Sequence, residues 1–275
     1  MCQVLDVSEK GYANWRKRGK SQRKRNDEIL TVHIEDAYYH HRGHYGSPRI
    51  HAELQAQGID CGRRRVARLM RERQLNARKK RRKVRTTDSD HQFPVAPNLL
   101  EQDFTASAPN KKWMTDFTYV DTREGWLFLA GVLDAYSRKI VGWSMSDKHD
   151  TELVTAALQM ALLQRQPGAG LIHHSDRGSE YASTSYQMLL HKQDIQASMS
   201  KKGDCYDNAM IESFWATLKE ECFEKRIFSS RNEAKAAIFE YIEIYYNRKR
   251  RHSSLGYLSP VHYERKGYDS KSNFS

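Results

Sequence analysis

Three carboxylates stand out in this sequence by type and position: Asp116, Asp176 and Glu212. Asp116 falls inside the alternating stretch Trp113 to Val120, where an ionised side chain is costly unless it is paired or metal-bound. Asp176 closes the run Leu171 to Ser175, just ahead of Arg177-Gly178, and strand ends beside glycine turns are common places for functional groups. Glu212 lies next to Ile211 in a helical pattern, Asp207 to Glu221, whose apolar side is Ile211, Phe214 and Leu218. Asn208, four residues before it, and Lys219, seven after, share its face. Hard divalent ions such as magnesium prefer carboxylate oxygens and keep water positions for substrate. Two such ions, roughly 3.5–4 Å apart, can hold both the attacking and the leaving oxygen of a phosphodiester. A central strand, a neighbouring strand end and a helix can supply that clamp. A lone Asp or Glu is ordinarily a surface residue, so the inference depends on all three occurring in this order on these elements.

Other metal-capable residues fit less well. Cys2, Cys61, Cys205 and Cys222 contain no C-x-x-C pair, which argues against a structural zinc site and for a reducing cytoplasm. Without a cysteine pair to complete a zinc module, His40, His41 and His44 read as surface or DNA-facing residues. His173 and His174 adjoin Asp176, but a magnesium site has little use for imidazole, so orienting or packing roles are expected of them.

The elements that must position the carboxylates follow from the apolar pattern. Trp113 to Val120, Trp126 to Leu133 and Ile140 to Met145 read as three strands joined by short turns, hence an antiparallel meander. Helix is expected over Thr151–Gln164, Thr184–His191 and Asp207–Glu221, with strands at Leu171–Ser175 and Gln196–Ser200. Ser230 with Glu233 forms a capping box that opens a last helix to about Tyr246. A meander followed by alternating helix and strand implies an α/β mixed sheet covered by helices. No stretch approaches the roughly 20 apolar residues that a membrane helix needs, and Met1 to Lys20 lacks the apolar core of a signal peptide.

The first third differs in charge. Residues 1–92 hold 23 Lys+Arg against 11 Asp+Glu, so the whole net charge of +12 lies there. A basic module joined to a neutral one suggests a nucleic-acid-binding part and a part that does something else. Helix is expected after Ser8, over Asp27–His40, from Ser47-Pro48, and from Cys61-Gly62 onward. In the last, Val66, Leu69 and Met70 face inward and Arg64, Arg65, Arg68 and Arg71 face outward, which fits the second helix of a helix-turn-helix. Lys79 to Arg85 is a basic run that either grips phosphate or serves as a tether. The expected organisation is a basic helix-turn-helix-like region over 1–85, a linker over 86–110, a core over 111–263 and a polar tail over 264–275.

Three segments carry a family resemblance: Trp113-Met114-Thr115-Asp116-Phe117-Thr118-Tyr119, His174-Ser175-Asp176-Arg177-Gly178-Ser179 and Asp207-Asn208-Ala209-Met210-Ile211-Glu212-Ser213-Phe214. They resemble the signatures of the Asp-Asp-Glu integrase superfamily, with 35 residues between Asp176 and Glu212. Tyr246-Asn247, Arg250, His252-Ser253, Leu255-Gly256-Tyr257 and Ser259-Pro260 resemble the tail of insertion-sequence transposases. The chain is similar over nearly its whole length to the second-reading-frame (OrfB) proteins of the insertion sequence 3 family. That resemblance implies a ribonuclease H-like catalytic core and magnesium dependence, with manganese as a substitute. It also implies cleavage at transposon ends, attack by a 3′-hydroxyl to join the ends, and insertion into a target. By the same resemblance Asp116, Asp176 and Glu212 are catalytic metal ligands and Lys219 holds DNA near the scissile phosphate. Asn208, Arg250 and His252 join Arg64, Arg65 and Arg68 as DNA-binding candidates. Glu180 stands where the family carries glutamine and adds a carboxylate four residues after Asp176, expected in an exposed loop.

Two other functions share these features: a metal-dependent nuclease on the same fold, and a non-catalytic DNA-binding regulator. The basic module and the tail disfavour the first, and the three carboxylates the second. The resemblance further implies a bacterial, cytoplasmic, nucleoid-associated protein that forms a homo-oligomer on DNA. It implies an upstream-frame helix-turn-helix protein as partner, joined by frameshifting, because Met1 to Trp15 begins almost directly in a turn and helix.

Overall fold

The computed structural model describes residues 2, 4–78, 94–201, 207–224 and 226–272. The basic run Lys79 to Arg85 and Cys205 lie outside the described residues. The chain forms two compact units, Met1–Lys79 and Lys80–Ser275. Among the described residues no helix is long and apolar enough to cross a membrane.

The first unit is all helical: α1 (Glu9–Lys17), α2 (Gln22–His40), α3 (Ser47–Ala56) and α4 (Arg63–Glu72). Ser8 caps α1 by accepting from Gly11 N–H at 2.9 Å, yet α1 buries none of its side chains. Leu30, Ile34 and Ala37 of α2, Ile50 and Leu54 of α3, and Val66, Leu69 and Met70 of α4 make one core around Tyr45. Gly46, not Ser47, is the cap of α3, with Pro48 in its first turn. His41 and His44, expected at the surface, are buried. The turn after α2 folds inward, so the His41 ring stacks on Tyr45 at 3.7 Å and its Nε2 lies 3.6 Å from Glu53.

The second unit is built on one five-stranded sheet, order β3-β2-β1-β4-β5. Its strands are β1 (Lys112–Val120), β2 (Leu127–Asp134), β3 (Ile140–Ser146), β4 (Ile172–Ser175) and β5 (Gln196–Met199). The first three form the expected antiparallel meander, and β4 and β5 add in parallel beside β1. One face packs on α5 (Thr151–Arg165), α6 (Ser179–Ala182) and α7 (Thr184–Lys192), whose Leu153, Ala157, Tyr181 and Tyr186 meet Trp113 and Val132. Helix α5 comes so close to β3 that only a hydrogen fits at Gly142, against the Ala157 carbonyl. The opposite face packs on α8 (Ala209–Leu218), a π-helical turn at Lys219–Phe223, and α9 (Arg231–Phe239), which continues as a π-helix over Glu240–Tyr246.

Two expected boundaries shift. Residues 94–110, read as linker, pack on the sheet: Pro97 accepts from Met199 N–H at 3.3 Å, Leu99 N–H donates to Ser198 Oγ at 2.9 Å, and Leu100 is buried. Residues 264–272, read as polar tail, belong to α10 (Pro260–Ser272). Glu264 is buried there and receives both Arg165 amino groups, at 2.8 and 2.9 Å. A polar segment reads as tail when its acid has no visible partner, and the partner here is 99 residues away.

Candidate active site

The sheet register brings the two aspartates together. β1 and β4 run parallel with Met114 opposite His174, so continuing by two residues brings Asp116 level with Asp176 just past the end of β4. Asp116 also pairs across the sheet with Gly131 of β2. Its Oδ1 accepts from the backbone N–H of Phe117 at 2.9 Å and its Oδ2 from Trp215 Nε1 at 3.1 Å. Asp176 is buried, and its Oδ1 accepts from Gly178 N–H at 3.0 Å.

Helix α8 presents the third carboxylate. Asn208, Glu212 and Trp215 fall at i, i+4 and i+7 and so share one face. Asn208 Nδ2 donates to the carbonyl of Thr115 at 3.3 Å, and Trp215 reaches Asp116. Both contacts are to β1, which leaves Glu212, between them, facing the strand that carries Asp116. Trp215 can lie this low because Gly131 has no side chain: a Cβ there would stand 2.8 Å from the indole ring.

The electrostatics match this layout. Burial, then the charge of Asp176, and more weakly that of Glu212, push the Asp116 carboxyl well above the usual carboxylate range, while the Phe117 and Trp215 N–H groups pull it back. Like charges packed this way suit a divalent cation, and the donors are the hard oxygens that magnesium prefers. As they stand, no group of three or more His, Cys, Asp or Glu side chains among the described residues is arranged to hold an ion. The donor set therefore fits a metal by its chemistry, with the side chains not drawn in around one.

The neighbouring histidines are structural, as expected. His173 Nε2 meets the Tyr186 hydroxyl at 3.1 Å, and burial followed by the proximity of His174 lowers it to about 3. His174 Nδ1 meets Ser198 Oγ at 2.8 Å, and burial lowers it to about 4, so both rings are neutral. Glu180 is on α6 and half-buried, not in an exposed loop. Its Oε2 and Asp176 Oδ1 approach the point where a Cβ on Gly178 would stand, at 2.8 and 3.1 Å, so glycine there leaves room for both.

The DNA-binding candidates divide. Lys219, half-buried at the end of α8, holds its Nζ 4.6 Å from the Tyr119 ring centroid. Arg64 is exposed on α4, whereas Arg65 and Arg68 both bind Asp27 of α2 at 2.6 Å, and Arg68 also binds Glu72. His252 is half-buried, with its ring 4.9 Å from that of Tyr246. Two candidates are buried. Asn208 is buried and spends its amide on Thr115, anchoring α8. Arg250 is buried and grips Glu221 of the π-helical turn through two 2.7 Å bonds, with the Tyr241 hydroxyl as a third donor at 2.8 Å. An arginine enclosed this way is committed to its buried partner, and removing either one would leave an uncompensated charge. Asn247, from the same tail motif, bonds both backbone groups of Ile140 at 3.0 Å.

Trp215 and Gly131 are the site residues that sequence reasoning passed over. Their signal was present, an aromatic three residues after Glu212 and a glycine inside an apolar strand, but the partner of each is visible only in the packed sheet.

Comparison with known proteins bears on the same regions. Integrase core domain profiles match residues 106–205 and 193–260, and an HTH-like domain profile matches residues 24–83. The insertion element IS600 uncharacterized 31 kDa protein of Shigella sonnei is 49% identical over 266 residues, spanning 97% of this chain and 98% of that protein. Transposase InsF for insertion sequence IS3A of Escherichia coli (strain K12) is 44% identical over 268 residues, spanning 97% of this chain and 93% of that one. Among solved structures, a chain of the simian T-cell lymphotropic virus intasome in complex with PP2A regulatory subunit B56 gamma aligns at TM-score 0.49 and 15% identity, over 83% of this chain and 73% of that one. The HTLV-2 integrase catalytic core domain in complex with magnesium aligns at TM-score 0.45 and 14% identity, over 58% and 99%.

Proposed function

Because this chain belongs to the integrase-core transposases of the insertion sequence IS3 family, we propose that Asp116, Asp176 and Glu212 are its catalytic, metal-holding residues. The protein is a transposase with a ribonuclease H-like core and an HTH-like DNA-binding region, an enzyme that cleaves and joins DNA strands at insertion-sequence ends. The observation that carries the assignment is the parallel register of β1 and β4, which levels Asp116 with Asp176 under the face of α8 that bears Glu212.

The three carboxylates would hold magnesium, or manganese in its place, which when bound supplies charge stabilisation to the attacking and leaving oxygens of a phosphodiester. The chain's own residues do the rest. Asp116 is held to one orientation by two N–H donors, so its oxygens are set before DNA arrives. Glu212 is carried on a helix anchored to β1 at both Asn208 and Trp215. Lys219, at the end of that helix with its Nζ 4.6 Å from the Tyr119 ring centroid, meets a backbone phosphate next to the bond being broken in this reading. Arg64, with Arg65, Arg68 and His252 as further candidates, contributes phosphate contacts in this reading.

The working assembly we propose is this chain with an upstream-frame helix-turn-helix protein, as a frameshift fusion, and further copies on DNA in the bacterial cytoplasm and nucleoid. Helix α1, which buries no side chain of its own, is open to such a partner. A strand-joining assay separates this reading from a plain nuclease. With magnesium and a labelled insertion-sequence end, the proposed enzyme yields joined products; release of hydrolysed fragments alone would assign it to simple hydrolysis.

A further inference from the structure

Tyr119 and Trp126 remain about half in solvent, at 53% and 50% exposure, although they lie on β1 itself and at the entry to β2. Their rings meet edge to face at 5.1 Å, and Lys219 Nζ stands 4.6 Å from the Tyr119 centroid. β1 bonds to β4 only from Lys112 to Met114, so among the described residues its second half has a strand partner only on the β2 side. Tyr119 is three residues along the same strand from Asp116, about 10 Å at the usual strand rise and on the opposite face by alternation, so a strand passing between the two rounds the β1 edge that β4 leaves open. At the far margin Arg231 Nε donates to the Trp126 carbonyl at 3.1 Å, and Arg123 is exposed. The nearby carboxylate of Glu124 accepts from Arg231 N–H at 2.8 Å.

Two fixed, solvent-facing rings with cations along their margin match the chemistry of a nucleotide. A base offers a π face to the rings and its phosphate meets the cations, whereas an aliphatic protein surface offers neither. We propose that Tyr119 and Trp126 form a stacking shelf for an unpaired base of the DNA strand held at Asp116. This rests on the reading that the site acts on DNA strands. The shelf holds the strand beside the reacting bond through base stacking, which is tolerant of sequence, while Lys219 takes the phosphate.

The test is binding by the full chain in chelator, so that no cutting intervenes. The probes are a labelled single-stranded oligonucleotide of mixed sequence, the same strand with one abasic position, and its blunt duplex. Trp126→Ala and Tyr119→Ala are expected to weaken single-strand binding roughly 5- to 100-fold, the range a stacked base commands, with duplex binding unchanged. Trp126→Phe and Tyr119→Phe keep a ring and should retain most of the affinity. On the DNA side, the abasic position should weaken binding to the parent chain but not to Trp126→Ala, a comparison that does not depend on how well a variant folds. Alanine variants that bind the single strand as tightly as the parent, or that lose strand and duplex equally, would overturn the shelf. Failure of the catalytic reading is separately visible: the parent fused to the upstream-frame protein would then cut nothing with magnesium present, whatever the stacking result.

Discussion

Trp215 Nε1 donates a 3.1 Å hydrogen bond to Asp116 Oδ2, tying the helix that carries Glu212 to the strand that carries Asp116. One side chain thereby fixes both the direction of a carboxylate and the distance between two elements of the site. A hydrogen bond to a charged group is worth about 1.5–3 kcal/mol. Trp215→Phe removes the donor and also withdraws the outer indole ring that lies on Gly131, leaving a void in the core. We expect DNA cleavage to slow roughly tenfold or more on the scale of the lost hydrogen bond, with near-normal DNA binding and a lowered unfolding midpoint. A variant that cuts at the parent rate would show that Asp116 needs no such support.

Gly131→Ala attacks the same relationship from the other side. Its Cβ would stand 2.8 Å from the Trp215 ring, which must then move off the strand. Overpacking of this kind costs about 1–3 kcal/mol. The expected outcome is a lowered unfolding midpoint together with slower cleavage, and pairing the change with Trp215→Leu should recover stability but not activity.

Arg250 supplies a contrast, because the residue expected to contact DNA forms a buried pair with Glu221. Arg250→Met leaves an unpaired buried carboxylate and should cost about 3–5 kcal/mol of stability. Adding Glu221→Gln should return much of that loss. Parent-like stability with weakened DNA binding in Arg250→Met would restore the contact role.

Two sets of groups give opposite pH trends in the metal-free protein. His173 and His174 are held at about 3 and about 4 against an ordinary 6.5, so their contribution to stability is present above 6.5. It is lost as pH falls through those lower values, because the unfolded chain takes up protons first. Asp116 is raised, so its contribution is present at low pH and lost as pH rises through its folded value. In Asp116→Asn, where the opposing group is gone, thermal scans should show stability dropping as pH falls from about 6.5 to about 4. Asp116→Asn should raise the midpoint at neutral pH while abolishing cleavage; a lowered midpoint would contradict the account of Asp116.

Much of this was legible in the sequence. Period-two and period-3.6 apolar patterns located the strands and helices of the second unit, and Asp116, Asp176 and Glu212 fall on β1, just past β4 and on α8. What could not be read was which polar side chains find partners inside. Arg250, Asn208 and His41 look like surface residues by type, and each is buried with a contact or stacking that only the tertiary fold supplies, while His44 is buried at the turn after α2. Glu264 is the same case at the far end, where a polar stretch becomes a helix because Arg165 awaits its carboxylate. Trp215 is the converse, an apolar residue by pattern whose one polar atom is aimed at the site.

The most direct test of the central claim is metal-dependent cleavage of a labelled insertion-sequence end by Glu212→Gln, measured beside the parent with magnesium, manganese and chelator. The substitution keeps shape and removes a metal-binding charge. The account predicts that the parent, fused to the upstream-frame protein, cuts and joins with either metal and not in chelator, and that Glu212→Gln in the same fusion binds the same DNA nearly as well but neither cuts nor joins it. Near-normal cleavage by Glu212→Gln, or full activity of the parent in chelator, would contradict it.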